Sequence, residues 1–395
     1  MKIVHICQEF FDGKGYHENI LPAYQAKLGH AVILITSLKN KSTQKDTYTY
    51  NGFCIKRIQI KGEFKGRFVI FNNLMDILEK EQPDYIYYHT ATSPSLKHVA
   101  NYKKSHPGTF VVVDNHGDLN NSGKNKLWLK LYYNFFWKNY IKKYHKYIDL
   151  FFGVSPNRCL FLEEELGVDR EKIRLLPIGC DVDGINKGVS KPDFFNKYGL
   201  DTGKFIITHG GKITPEKEVN KILEAFMKIK ADDLCLVLFG KIADPEVERL
   251  IKKDGRIKYI GWLNREDTLL LLKYSDLGIW HKLHTTLLED AVSVQLPLIL
   301  RYYGNTSHLI KESGYYLYEG SVREIQDKLT FVIHNRDAII KLKEKSKAVL
   351  EILSYENIAK ESLDYMNDLS PKPAHKLFMS EQFTDYNYEN LRYIK

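Results

Sequence analysis

The chain has 395 residues, 44% apolar and 27% charged, which excludes large-scale disorder and exceeds one comfortable hydrophobic core. A net charge of +9 favours anionic partners: nucleotides, phosphorylated substrates, an acidic membrane surface or nucleic acid. The five cysteines are scattered without a C-x-x-C pair, which argues against a disulfide framework or structural zinc and suits a reducing cytoplasm.

The opening MKIVHICQEFF carries an apolar run too short for a signal peptide and reads as a first buried strand. No stretch approaches the roughly 20 apolar residues of a bilayer span, so a cytoplasmic protein with at most peripheral membrane contact is expected. KIVHIC, a helix from about Glu18 to Leu28 and AVILIT form a first βαβ unit, with Gly29-His30 stopping the helix. GFCIKRIQI, a helix around FNNLMDILEKE, DYIYYH, a helix near SLKHVANYKKS, TFVVVDNHGD, LFFGVS and IRLLPI follow. Near-continuous apolar strands separated by helices predict a parallel sheet covered on both faces.

A second series then starts: KFIITHGGK, a helix from about Glu218 to Ile229, LCLVLFGK, a helix through VERLIKK, and IKYIGWL. It continues with a helix through LLLLKYS, LGIWH, a helix from Thr286 and LPLILRY. The intervening segment, rich in Gly, Asp and Lys, reads as a linker. The fold expected is α/β, with two doubly wound Rossmann-like domains facing a central cleft, where such sheets bind ligands. The boundaries expected are 1–182 for the first domain, 183–203 for the linker and 204–352 for the second domain. A helix over 353–368 and a tail over 369–395 complete the chain.

Five segments, in order, resemble the retaining GT-B glycosyltransferases of family 4. GHAVILIT is similar to GHEVxVxT, and LLPIGCDVDGI to xIPNGVDxxxF. GGKITPEKEVNKILEAF is similar to GRLxxxKGxxxLIxAF, LLEDAVSVQLPLIL to the region around the second Glu of an E-x7-E motif, and SYENIA to YSWxxIA. The resemblance covers roughly residues 1 to 366. It implies that the 353–368 helix crosses back to brace the first domain, which takes the acceptor, while the second binds the nucleotide sugar.

The turn from His209 to Lys217 follows a strand and opens a helix. Gly211, Lys212 and Lys217 can meet a departing diphosphate with preorganised positive charge, unless both lysines are simply solvated. The resemblance implies the former, with Lys212 replacing an Arg and so offering a point charge instead of a fork. Thr286 and Glu289 match a capping box, in which Glu289 reaches back to the helix start. The resemblance implies instead that Glu289 binds the ribose hydroxyls, while Thr285, Thr286 and Leu287 face the diphosphate. The first Glu of the motif is missing: His281 stands there, followed by Lys-Leu-His-Thr without glycines.

In the first domain, Gly13 and Gly15 lie in a loop after the first strand, read either as an ordinary turn or, by resemblance, as a backbone approach to the donor phosphate and the acceptor. His116, at the end of VVVDNHGD, is read either as structural or, by resemblance, as a contact of the donor sugar. Trp262, after Gly261, is read either as core or, by resemblance, as part of a turn whose backbone contacts the nucleotide base. Asp181-Val-Asp183 offers a metal-binding pair, but it falls in the linker, so no metal and no cofactor are expected. The stretch from Lys124 to Ile148 carries seven lysines, nine aromatics and no acid. As a helix it places Lys126, Lys130, Lys138, Lys142 and Lys146 on one side and Tyr133, Phe136 and Tyr140 opposite. It either lies on an anionic membrane or packs its aromatics inward. No nucleic-acid module is recognised.

The function implied is transfer of a sugar from a UDP- or GDP-sugar to a glycan or lipid-linked glycan, with retention and without metal, in bacterial envelope polysaccharide biosynthesis. The rivals are a nucleotide-sugar epimerase or hydrolase of the same fold, and an inactive relative that binds a nucleotide sugar or protein.

Overall fold

A computed structural model of the chain describes residues 1–39, 44–64, 68–120, 127, 129–185 and 188–379. Lys124, Lys126 and Trp128 of the basic stretch, and the tail from 380, lie outside the described residues. The chain forms two compact units, Met1–Gly179 with the segment that begins at Tyr355, and Cys180–Ser354.

The first unit is built on strands β1 (Lys2–Ile6), β2 (Ala31–Leu38), β3 (Thr47–Tyr50), β4 (Phe53–Phe64) and β5 (Phe68–Phe71). They are followed by β6 (Tyr85–His89), β7 (Phe110–Asn115), β8 (Leu150–Gly153) and β9 (Ile173–Leu175). Their order is β3-β4-β2-β1-β6-β7-β8-β9, with β5 also on β4. β6 is buried along its whole length, because helices cover the sheet on both faces. β3 and β5 run antiparallel to β4, a departure from the expected all-parallel sheet. For β3 the cause is local: Asn51 (φ 46°) and Gly52 (φ 87°) form a two-residue hairpin turn whose twist suits antiparallel strands. The helix Tyr355–Asp364 packs in this unit against the helix His17–Lys27, where the Gln25 amide donates to Ser362 Oγ at 3.0 Å.

The basic stretch is not one regular α-helix. Leu129–Trp137 is a π-helix, continued by the α-helix Lys138–Tyr144 and a 3₁₀ turn at His145–Tyr147. A π-helix has more residues per turn than 3.6, so the expected two-sided wheel fails. Phe136, placed opposite the lysines by that wheel, is 53% exposed, against the inward-packing reading, while Trp137 is buried.

The second unit contains β10 (Phe205–Gly210), β11 (Leu234–Phe239), β12 (Ile257–Tyr259), β13 (Leu277–Trp280), β14 (Leu298–Arg301) and β15 (Gly314–Leu317). All are parallel, in the order β12-β11-β10-β13-β14-β15. The helix Val219–Met227 seals one face, burying Val219, Ile222, Leu223 and Phe226 at the spacing of one helical stripe. Each such side chain contributes on the order of 1.5–3 kcal/mol as an upper estimate. The segment read as a linker holds a helix, Lys191–Tyr198, whose Phe194 and Phe195 are buried and whose Tyr198 hydroxyl donates to Asp267. Strand order turns back at β1/β6 in the first sheet and at β10/β13 in the second. The crevices outside the carboxyl ends of those strands are where open α/β sheets place ligands.

Candidate functional site

At the β10/β13 switch point three glycines bring loops together. A Cβ on Gly210 would lie 2.2 Å from the Phe239 ring, and one on Gly240 would lie 2.1 Å from the Gly211 carbonyl. Gly211 itself has φ +113°, a conformation that side chains disfavour. The Gly240 amide donates to the Gly261 carbonyl at 2.7 Å, so the loops after β10, β11 and β12 form one connected rim. β13 is tied to this rim by the Trp280 indole, which donates to Gly210 at 3.0 Å, and by His209 Nδ1, which donates to Ile279 at 2.7 Å.

A 3₁₀ turn over Pro215–Lys217 folds Lys217 back onto the glycines. A side chain at 211 would meet Leu287 Cδ1 at 3.3 Å, Lys217 Nζ at 3.5 Å and Thr285 Oγ1 at 3.8 Å. Gly211, Lys217, Thr285 and Leu287 therefore surround one small space. Burial, reinforced by the neighbouring charge of Lys212, holds the Lys217 ammonium below the ordinary lysine value. Among the described residues no carboxylate pairs with Lys217, whereas the nearby Lys221 and Lys282 both pair with Glu218. A half-buried cation without a counter-charge is costly to the free fold and is relieved by a bound anion.

Glu289 lies in the two-turn helix Leu287–Ser293 and is 2% exposed. The capping box does not form: Thr286 makes no side-chain cap, and Glu289 Oε1 instead lies 2.8 Å from His284 Nε2. His284 intercepts it because its own amide donates to the Tyr303 hydroxyl at 2.7 Å, which holds the loop over the helix start. Glu289 Oε2 is buried without a hydrogen bond among the described residues. Burial pushes the Glu289 carboxyl up, but His284 and His308 outweigh it and the net shift is downward. The adjacent Asp290 is pushed up to about 6 by burial, against the pull of Arg265. Arg265 bridges Asp290 and Asp181 at 3.1 Å to each, so Asp181 serves an ion-pair network.

His281 ends this group just beyond β13, 2% exposed, with neither ring nitrogen hydrogen-bonded among the described residues. Burial lowers its pKa to about 3, so the ring is neutral at physiological pH. Trp262, read as base contact or core, is 70% exposed beside Gly261, which removes the core reading. The second sheet thus gathers Gly211, Lys212, Lys217, Thr285, Thr286, Leu287, His281 and Glu289 at its switch point.

The first sheet carries its own polar cluster at the ends of β1, β6 and β7. His116 Nε2 lies 3.1 Å from Asp114 Oδ2, and His89 Nδ1 lies 3.0 Å from the same oxygen. The Thr90 amide donates to Asp114 Oδ1 at 2.9 Å from a backbone with φ +110°, a strained value for threonine. Burial raises the Asp114 carboxyl, but His116 and His89 hold it well below its ordinary value, so it stays ionised. His5 Nδ1 meets His89 Nε2 at 3.0 Å, and His17 lies between the hydroxyls of Tyr355 and Tyr87, 3.3 Å from each. Asp114, His89 and Thr90 were not singled out from sequence, although each ends an apolar strand with a polar residue, as His116 does. In the first loop the Gly13 amide donates to the Tyr50 hydroxyl at 3.0 Å, and Gly15 is half-buried. That anchor commits the Gly13 amide to the β3 hairpin.

Comparison with known proteins agrees with this layout. The family model Glycosyltransferase Family 4 matches residues 21–183, and Glycosyl transferases group 1 matches residues 190–349. A glycosyltransferase from Rickettsia africae ESF-5 superposes with a TM-score of 0.69 at 17% identity, over 93% of this chain and 98% of that one. Alr3699/HepE of Anabaena, in complex with UDP-glucose, superposes with a TM-score of 0.67 at 14% identity, over 93% and 99%. WaaG, a glycosyltransferase involved in lipopolysaccharide biosynthesis, gives 0.63 at 13% identity, over 93% and 100%. No curated protein sequence matches the chain. At these identities the superpositions speak for the fold, which is GT-B with two Rossmann-like domains.

Proposed function

The chain belongs to the family 4 glycosyltransferases, and from that premise we propose that it moves a sugar from a UDP- or GDP-sugar to a hydroxyl of a glycan or lipid-linked glycan. The observation that carries this reading is Lys217, a half-buried ammonium without a carboxylate partner among the described residues, folded against Gly211 at the switch point. Lys217 and Lys212 neutralise the departing diphosphate, and their placement favours a reaction without a metal ion. Glu289, with one buried oxygen unpaired, accepts from the ribose hydroxyls, and Trp262 lies against the base. Thr285, Thr286 and Leu287 line the phosphate side. His116, Gly13 and Gly15 belong to the acceptor-side unit, where His116 contacts the donor sugar.

Transfer proceeds with retention. The bond from the anomeric carbon to the diphosphate breaks, the acceptor oxygen bonds on the same face, and its proton passes to the leaving phosphate. Donor use by this fold is supported by the HepE complex with UDP-glucose, and an envelope role by the assignment of WaaG to lipopolysaccharide biosynthesis. Among the described residues no helix is long and apolar enough to cross a membrane. Peripheral contact at the inner membrane face fits the exposed Leu127, Leu131, Phe135 and Phe136, which lie in the lysine-rich stretch near Lys130 and Lys138. Beside them lies an apolar cavity of about 520 Å³ lined by Phe68, Ile70, Tyr132 and Trp137.

The test is nucleotide release from a panel of UDP- and GDP-sugars, with and without lipid-linked acceptors. Release that depends on acceptor supports transfer. Acceptor-independent consumption favours an epimerase or hydrolase, and binding without turnover under every condition favours the inactive relative that the altered loop at His281 suggests. Flotation with anionic vesicles at low salt tests the membrane surface, and protein that stays unfloated retires it.

A further inference from the structure

The carboxylate expected at position 281 is missing, and another loop brings one to the same place. Glu218 Oε2 stands 4.0 Å from His281 Nε2. That is too long for a hydrogen bond between them, and short enough for one hydroxyl to reach both at about 2.8 Å. Among the described residues the two His281 nitrogens have no hydrogen-bond partner, and the residue is almost wholly buried.

Glu218 is also out of place in its own loop. Its φ is +48°, in the left-handed region that glycine occupies cheaply and glutamate does not. Set against GRLxxxKGxxxLIxAF, the segment GGKITPEKEVNKILEAF puts Glu218 where that pattern has its second glycine. The two departures are complementary. A carboxylate is lost at the end of β13, and one is gained on a backbone made for glycine, with its side chain turned toward the deficit. Two lysines hold it there: Lys221 Nζ lies 2.5 Å from Oε2, and Lys282, the neighbour of His281, pairs with Oε1.

We propose that Glu218 and His281 together form the donor-sugar subsite, in which one sugar hydroxyl accepts from the imidazole N–H and donates to the carboxylate. The inference rests on the donor reading above and assigns the part of it that binds sugar. Charge supports the division of labour. Burial keeps His281 neutral, and Glu218 is ionised because its two lysines outweigh burial and lower its pKa to about 2. A neutral donor beside an anionic acceptor suits an uncharged hydroxyl.

Calorimetry on the full chain with UDP, GDP, UDP-glucose, UDP-galactose, UDP-N-acetylglucosamine and GDP-mannose tests the proposal. Glu218→Gln and His281→Ala should weaken the best-bound nucleotide sugar by about tenfold, the loss of one charge-assisted hydrogen bond, and leave the bare nucleotide within about twofold. Glu218→Gly relieves the backbone and guards against misfolding. Combined with His281→Glu, it should return sugar affinity to within about threefold of the parent, since the two sites are coupled. Equal weakening of nucleotide and nucleotide sugar, or no weakening of either, would make Glu218 a purely structural ion-pair anchor and overturn the proposal. Wild-type protein that binds neither UDP nor GDP overturns the donor reading itself, and this inference with it.

Discussion

Replacing Lys217 with alanine removes the charge on which the site depends. Two unit charges about 4 Å apart interact by about 4 kcal/mol at an effective dielectric of about 20 and by about 1 kcal/mol in bulk water. Lys217 is half-buried, between those limits, so Lys217→Ala should cost about 2–3 kcal/mol of diphosphate binding, roughly 30- to 150-fold in Kd. Lys221 is the control, because Glu218 already neutralises it at 2.5 Å, and Lys221→Ala should change Kd less than about threefold. Titration calorimetry with UDP and GDP reads both. The pH dependence gives a second check. Burial, and then Lys212, hold Lys217 below the ordinary 10.5, so nucleotide affinity should fall on the alkaline side before an exposed lysine would deprotonate. The free protein should respond in the opposite sense. Between the lowered folded value and 10.5 the unfolded chain binds more protons, so stability rises with pH through that window, and Lys217→Ala should flatten the rise. Equal losses from Lys217→Ala and Lys221→Ala would refute the reasoning.

Three further outcomes follow from the same geometry. Glu289→Gln should weaken UDP by about tenfold and abolish the discrimination between UDP and its 2′,3′-dideoxy form, measured by competition. Asp114→Asn leaves His89 and His116 without their carboxylate and should cost about 3–5 kcal/mol in urea unfolding. Because the Asp114 pKa is depressed, its stabilisation is present above the unfolded value and lost as pH falls through the folded one. The variant should therefore lose less than the parent below about pH 4. Gly52→Ala forces a side chain onto φ +87° in the hairpin turn and should destabilise the first unit by about 1–2 kcal/mol, read as a lower urea midpoint for that unit.

Much of this was legible where polar residues end apolar strands. Gly211, Lys212 and His116 stand out because a run such as KFIITHGGK has no packing reason to finish in a glycine pair and a lysine. The hairpin that makes β3 antiparallel to β4 was signalled by Asn51-Gly52, a two-residue turn that the helix-strand alternation masked. Other features depend on partners far along the chain. The pattern Thr286–Glu289 is the same whether Glu289 caps its helix or meets His284, and only the Tyr303 hydroxyl that holds the His284 amide decides between them. The pairing of His89 with Asp114 follows from β6 lying beside β7, which no spacing encodes. Why Phe136 is exposed while its neighbour Trp137 is buried is not legible in a 3.6-residue wheel, because the backbone there is π-helical.

The central claim is that the β10/β13 switch point holds the diphosphate of a nucleotide sugar. A crystal structure of the protein soaked with UDP, or with GDP if calorimetry favours it, tests this most directly. The account predicts phosphate oxygens at about 3 Å from Lys217 Nζ, packed over Gly211, with a ribose hydroxyl at similar distance from Glu289. A nucleotide bound elsewhere, or one whose phosphates leave Lys217 untouched, would contradict it.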